Sequence, residues 1–194
     1  MCSIIGFKGT YNKEVLNKVF KYSRIRGLHS FGYSYYSPEL TTKKFLDYNE
    51  FVRDIDNIKP NLFIAHFRYS TSGDFKDNCN NQPLTQNDTS IAFNGVISQK
   101  TKLEMENEYE IELFGDNDGF ILLNKFNNIQ FIQSNITFAL VGLKNNKLFA
   151  LKNRKRPLWL YENDCILLTS TEDIMKRSGI TNSKEIKNLI YHEW

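Results

Sequence analysis

The chain opens Met1-Cys2-Ser3-Ile4-Ile5-Gly6-Phe7, a run of small and branched apolar residues directly behind a cysteine. Residues 2 to 8 predict a short β-strand with that cysteine at its leading end. One cleavage after Met1 would leave Cys2 N-terminal, with a thiol and an α-amine in the same residue. An ordinary thiol titrates near ~8.5 and an α-amine near ~7.7–8.0, so a free amine can serve as base for the thiol at neutral pH without a histidine. Taken alone, Cys2 also reads as a small buried hydrophobe on an edge strand. The rest of the chain decides between the two.

Outward from this strand, Asn12 can cap a helix whose Val15, Leu16, Val19 and Phe20 share one face, and Gly27 closes the region. Phe31 to Tyr36 alternates like a strand. Leu62-Phe63-Ile64-Ala65-His66-Phe67 is a near-continuous apolar run of the interior-strand kind. Residues 70–90 are dense in Ser, Asp, Asn, Gly and Thr and predict a long loop, and long central loops tend to carry function. Further strands are expected at 90–93, 137–143, 147–151, 157–161 and 165–169, with Asn145-Asn146 as a hairpin turn. A helix is expected after Asp116-Asn117-Asp118, carrying Phe120, Ile121, Leu123 and Phe126. A shorter one runs from Glu172 to Arg177 and stops at Gly179. Many strands, few helices and no βαβ rhythm predict an α+β fold, a four-layer α/β/β/α sandwich of two antiparallel sheets between helical layers.

The 194 residues suit one domain spanning 1–194, and 41% hydrophobic with 24% charged residues is an ordinary globular composition. A net charge of +3 is too small to imply a nucleic-acid partner. Cys2, Cys79 and Cys165 form no CxxC pair, which predicts reduced thiols and a cytoplasmic setting. His29, His66 and His192 show no metal-ligand spacing, and no P-loop or GxGxxG appears, so no metal or cofactor is expected. Lys8 interrupts the first apolar run, which argues against a signal peptide, and no run approaches membrane-spanning length.

Four groups in fixed order would complement a Cys2 nucleophile attacking a side-chain amide. Arg68, in Arg68-Tyr69-Ser70-Thr71-Ser72-Gly73, presents a planar fork at a strand end that can hold a carboxylate, although alone it reads as a surface arginine in a turn. Asn94-Gly95 can offer two donors to a developing oxyanion, or be a hairpin turn. A free carboxylate in Gly115-Asp116-Asn117-Asp118 can receive an ammonium, or the segment can cap the following helix. Arg26-Gly27 otherwise reads as the cationic end and terminating glycine of a helix.

With those segments in order, and with Asn80-Asn81-Gln82-Pro83, Phe138-Ala139-Leu140-Val141, Arg156-Pro157-Leu158 and Thr169-Ser170-Thr171-Glu172 added, the chain resembles the glutaminase domain of class II glutamine amidotransferases. These are N-terminal-nucleophile hydrolases, and the resemblance covers almost the whole length. The Arg-Tyr-Ser-Thr segment looks most like phosphoribosyl amidotransferases, while Asn-Gly-Val-Ile resembles glucosamine phosphate synthase.

The resemblance implies that Cys2 attacks the carboxamide of L-glutamine, releases ammonia and is freed by water as glutamate leaves. It implies Arg68 for the α-carboxylate, Asp116 for the α-ammonium, and Asn94 with the Gly95 N–H for the oxyanion hole. Arg26 would orient the N-terminal amine, and Thr71 and Ser72 would line the substrate pocket. The chain departs from the family at His29, where aspartate is common, and at Phe93 and Ser72, where histidines are frequent. It also has Asn117-Asp118 in place of Thr-Glu. The absence of a synthetase or transferase segment before Trp194 leads to the expectation of a separate ammonia-acceptor enzyme subunit, with no nucleic-acid or membrane partner. Two rival readings stay open: an N-terminal-cysteine amidase for another amide, and a non-catalytic glutamine-binding regulatory module.

Overall fold

The computed structural model describes residues 1–70, 73–128, 131, 136–153 and 156–194. In chain order the elements are β1 (Ser3–Lys8), α1 (Lys13–Arg24), β2 (Ser30–Tyr36), β3 (Leu40–Phe45), α2 (Tyr48–Ile58), β4 (Leu62–Arg68), β5 (Leu84–Gln86) and β6 (Thr89–Val96). Then follow α3 (Lys102–Tyr109), α4 (Gly119–Lys125), β7 (Thr137–Lys144), β8 (Lys147–Lys152), β9 (Trp159–Glu162), β10 (Ile166–Thr169), α5 (Glu172–Arg177), β11 (Lys184–Glu185) and β12 (His192–Glu193). Among the described residues the strands form two antiparallel sheets, one in the order β11-β9-β10-β1-β4-β2-β3 and the other β12-β8-β7-β6-β5. No helix among these residues is long and apolar enough to cross a membrane.

Strand alternation builds the layers, because successive side chains point to opposite faces. In β1, Ile5 and Phe7 pack with Phe63, Ala65 and Phe67 of β4 beneath α1, α2 and α5. Ile4 and Ile64 turn the other way and meet Ala92, Ala139 and Val141 of the second sheet. On the far side of that sheet Ile91, Phe93, Phe138 and Leu140 pack under α3 and α4. These three apolar layers make the four-layer α/β/β/α sandwich. β1 lies between β4 and β10 in the middle of its sheet, not at an edge.

Local chemistry sets the ends. The Asn12 side chain accepts from Val15 N at 3.2 Å and starts α1, whose Leu16, Val19 and Phe20 are buried. Gly27 ends this region for a reason other than backbone torsion: a Cβ there would stand 2.2 Å from the Phe67 carbonyl oxygen. The chain leaving α1 is thus pressed against the end of β4. Asn145 and Asn146 have φ of 50° and 58°, the left-handed pair of a tight hairpin between β7 and β8. Several elements went unanticipated: edge strand β3, α2 capped by Asp47, α3, started by the reciprocal Thr101–Glu104 capping box, and the short strands β5, β11 and β12. Residues 70–90 are mostly loop in the described part, broken by a 3₁₀ turn at Asn78–Asn80 and by β5.

Phe51 of α2 is fully buried, with ring centroids 5.3 Å from both Phe20 and Phe67. Truncating such a ring loses both its transfer free energy and its packing. Phe51→Ala should cost about 3–5 kcal/mol in urea unfolding, and a loss under about 1 kcal/mol would contradict this account of the helix–sheet layer.

Candidate active site

The inter-sheet layer is apolar over most of its area and polar at one end. Ile4 is opposite His66 in the β1–β4 register, and His66 and Arg68 of β4 lie opposite Gly32 and Ser30 of β2. With Ile64, the side chains of His66 and Arg68 therefore face the second sheet. There, Asn94 shares the inward side of β6 with Ala92 and pairs with Ala139 of β7. A deeper tie between the sheets is the 2.7 Å hydrogen bond of Ser34 with Ser90.

Cys2 precedes β1 at this polar end. Its thiol donates to the Tyr69 carbonyl with Sγ 3.7 Å away, just beyond Arg68. Burial pushes the Cys2 thiol up, while the positive charges of the N-terminus, Arg68 and Arg26 pull the other way. Arg26 Nε donates to the Cys2 carbonyl at 3.3 Å, and its Nη2 lies 4.0 Å from the Met1 sulfur. Arg156 Nη1 reaches the same sulfur at 3.5 Å, so two guanidiniums flank the residue ahead of Cys2. Arg156, noted in sequence only as part of the Arg156-Pro157-Leu158 motif, is thereby placed beside Met1.

Arg68 is not a surface arginine. It is 3% exposed, with Nη1 donating to Asn81 Oδ1 at 2.6 Å and Nη2 to the Gly73 carbonyl at 3.3 Å. Asn94-Gly95 is not a hairpin turn either: both residues lie within β6, and a Cβ on Gly95 would sit 1.9 Å from the Thr137 carbonyl oxygen. Asn94 Nδ2 is buried without a hydrogen-bond partner among the described residues. An orphaned buried donor asks for an acceptor.

Asp116 is exposed and does not cap α4. Its backbone N–H donates to Asn80 Oδ1 at 2.9 Å, and it shares a cavity of about 230 Å³ with Gly95, Ser98 and Asp118. Asn117 takes over the turn, accepting from Gly119 N at 2.9 Å and donating to the Asn80 carbonyl at 2.8 Å. Asp118, missed by sequence reasoning, accepts from Ile97 N at 2.7 Å and Ser98 N at 3.1 Å and so pins the chain leaving β6. Burial raises its carboxyl pKa, against the pull of those N–H donors.

The fold thus brings Cys2, Arg26 and Arg68 together at the end of β1 and β4. Gly95 and Asp116 share a cavity wall, and Asn80-Asn81 connects that wall to Arg68. Thr71 and Ser72 lie outside the described residues.

No family model matches this sequence, and no curated protein does. Solved structures do match. A glutamine phosphoribosylpyrophosphate amidotransferase from B. subtilis, complexed with ADP and GMP, superposes with a TM-score of 0.73 at 20% identity, over 96% of this chain and 46% of that one. A glutamine aminotransferase class-II domain protein from Silicibacter pomeroyi gives 0.60 at 11% identity, over 99% and 94%. The chain has the class II glutamine amidotransferase fold. A protein described as a predicted glutamine amidotransferase from Pseudomonas aeruginosa PA01 shares it at a TM-score of 0.51 and 11% identity, over 100% of this chain and 92% of that one. The chain spans less than half of the phosphoribosylpyrophosphate enzyme, 46% of its length.

Within this fold His66 is 1% exposed, and neither ring nitrogen makes a hydrogen bond of ordinary geometry among the described residues. Burial, helped by the charge of Arg68, pushes its pKa down to about 3. The folded state therefore keeps His66 neutral where an unfolded histidine takes up a proton, so stability is lost as pH falls below the unfolded value near ~6.5. Between about pH 7.5 and 5.5 this one residue should remove about 1.4 kcal/mol. Urea midpoints at both pH values should fall correspondingly less in His66→Gln, and equal losses would show that His66 is protonated in the fold.

Proposed function

We propose that the protein hydrolyses the side-chain amide of L-glutamine to glutamate and ammonia, with Cys2 as nucleophile once Met1 has been removed. The observation that carries this reading is the meeting of Cys2 with Arg68 at the common end of β1 and β4, in a fold shared with glutamine amidotransferases. A buried guanidinium beside a thiol suits a substrate with a carboxylate at one end and a reactive carbonyl at the other.

The freed α-amine of Cys2 takes the thiol proton as sulfur adds to the glutamine carboxamide carbon. Negative charge gathers on the former carbonyl oxygen, which Asn94 Nδ2 and the Gly95 N–H receive. Collapse expels ammonia, with the proton returned by the amine, and leaves a γ-glutamyl thioester. Water, activated by the same amine, releases glutamate and restores the thiol. Arg68 holds the substrate α-carboxylate and Asp116 its α-ammonium. Arg26 fixes the Cys2 carbonyl and with it the direction of the amine. Opposite charges at the two ends select free glutamine over a glutamine within a peptide.

On this reading residues 1–194 act as one glutaminase domain in the cytoplasm. Its ammonia passes to a separate acceptor synthetase or transferase, bound closely enough to keep the ammonia from water. The contacts of Arg26 and Arg156 with Met1 favour a second reading, in which Met1 is retained and the pocket only binds glutamine.

Intact mass and a glutamine-mimetic diazoketone separate the two. Natively expressed protein should lack Met1 and take up one equivalent of reagent on Cys2, with Cys2→Ala inert. Retained Met1 with an unlabelled Cys2 would favour the binding module. Arg68→Ala should lower kcat/KM for glutamine roughly 10- to 100-fold, mainly through KM, as expected for losing a charge-assisted hydrogen-bonded pair.

A further inference from the structure

Asn80 and Asn81 are consecutive and buried, at 2% and 0% exposure, and each engages one of the two residues assigned above to the ends of glutamine. Asn81 Oδ1 accepts from Arg68 Nη1 at 2.6 Å and from Ser30 Oγ at 2.8 Å. Its Nδ2 donates to the Phe75 carbonyl at 2.7 Å and to Asn78 Oδ1 at 2.9 Å, which uses the full capacity of the amide. Asn80 Oδ1 accepts from Asp116 N at 2.9 Å, and the Asn80 carbonyl accepts from Asn117 Nδ2 at 2.8 Å.

The neighbouring chain is shaped around Asn80. A Cβ on Gly115 would lie 3.0 Å from Asn80 Oδ1, and one on Gly73 would lie 3.1 Å from Asn80 Cγ. Gly73 also lends its carbonyl to Arg68 Nη2 at 3.3 Å. Two loops distant in sequence thus converge on one dipeptide, one reaching the arginine and the other the aspartate.

We propose that Asn80-Asn81 is a spacer that sets the separation of Arg68 and Asp116, and so makes the site specific for a free α-amino acid of glutamine's length. Both are positioning residues, and the inference rests on the glutamine reading above. An amide suits position 81 better than a carboxylate would. Its oxygen orients the guanidinium without neutralising the charge that the substrate carboxylate needs. Its NH₂ also satisfies two oxygens that a carboxylate would repel.

The test compares hydrolysis of glutamine with that of two amides each lacking one end: glutaramate, without the α-amine, and 4-aminobutanamide, without the α-carboxylate. Asn81→Asp should raise KM for glutamine roughly 10-fold or more with kcat within about 3-fold, and should narrow the preference for glutamine over 4-aminobutanamide. Asn80→Ser should instead narrow the preference over glutaramate. Ser30→Ala, which removes the second hydrogen bond to Asn81 Oδ1 and leaves the amide itself in place, should move KM in the same direction by a smaller factor, and it serves if the Asn81 variant does not fold.

Variants that lose kcat and urea stability together, with both substrate preferences unchanged, would reduce the pair to a purely structural role and overturn the spacer. A wild-type enzyme that neither hydrolyses glutamine nor reacts with the diazoketone would instead overturn the glutamine reading itself, and the spacer with it. The wild-type control distinguishes the two failures.

Discussion

Burying Arg68 to 3% exposure takes a permanent charge out of water, a large penalty that only well-placed hydrogen bonds offset. Much of the polar segment after β4 serves that need. It turns back so that Gly73 and Asn81 can present oxygens to the guanidinium, and the 3₁₀ turn at Asn78–Asn80 braces Asn81 from behind. A loop that would be costly to order for its own sake is held because a buried cation must be solvated from within the protein.

The same cation is useful only because of where strand periodicity puts it. Ile64, His66 and Arg68 face the second sheet at every second residue of β4, and they pass from apolar to polar toward the strand end. Across the gap β6 sets apolar Ala92 between two polar residues, Ser90 bonded to Ser34 and Asn94 nearer the site. The sandwich is therefore sealed by Ile4, Ile64, Ala92 and Val141 and opens chemically where Cys2 leads into β1 and where β4 and β6 carry Arg68 and Asn94. Gly27 lets the chain bearing Arg26 lie against the Phe67 backbone, which places a second guanidinium on the Cys2 carbonyl.

Patterns of period two and 3.6 were readable without coordinates, which is why β1, β2, β4, the β7–β8 hairpin and α1 stand where the sequence places them. Pairing partners were not. Asn94-Gly95 has the composition of a turn, and only its register against Ala139 and Phe138 shows it to be strand interior. Gly27 and Gly95 read as torsional glycines, whereas both answer to a carbonyl from a distant strand. The Thr101–Glu104 capping box was legible and overlooked, since the apolar stripe behind it is weak and Met105 is the one buried residue of α3. Asp116 and Asp118 are told apart by a tertiary contact: the N–H groups of Ile97 and Ser98 claim Asp118, while Asp116 stays exposed at the cavity. The roles of Asn80 and Asn81 depend on contacts with residues 13 to 37 positions away, beyond the reach of any local pattern.

The histidines bear on where the proton of Cys2 can go. His66 lies in the right layer, but with its pKa pushed down to about 3 it holds a proton too weakly to act as a base near neutral pH. His29 is placed near the arginine loop, yet its Nδ1 already accepts from Ser70 N at 2.9 Å and its ring is stacked between Tyr69 and Phe75 at 4.9 and 5.0 Å. That histidine supports the turn after Arg68 and has no lone pair to spare at that nitrogen. What surrounds Cys2 is positive charge, from Arg26 and Arg68 directly and from Arg156 across Met1. Those charges pull the thiol down against the burial that pushes it up overall, and neither histidine stands free to take its proton. The arrangement therefore suits a base that is the α-amine of Cys2 itself, and it makes removal of Met1 the step on which the proposed chemistry turns.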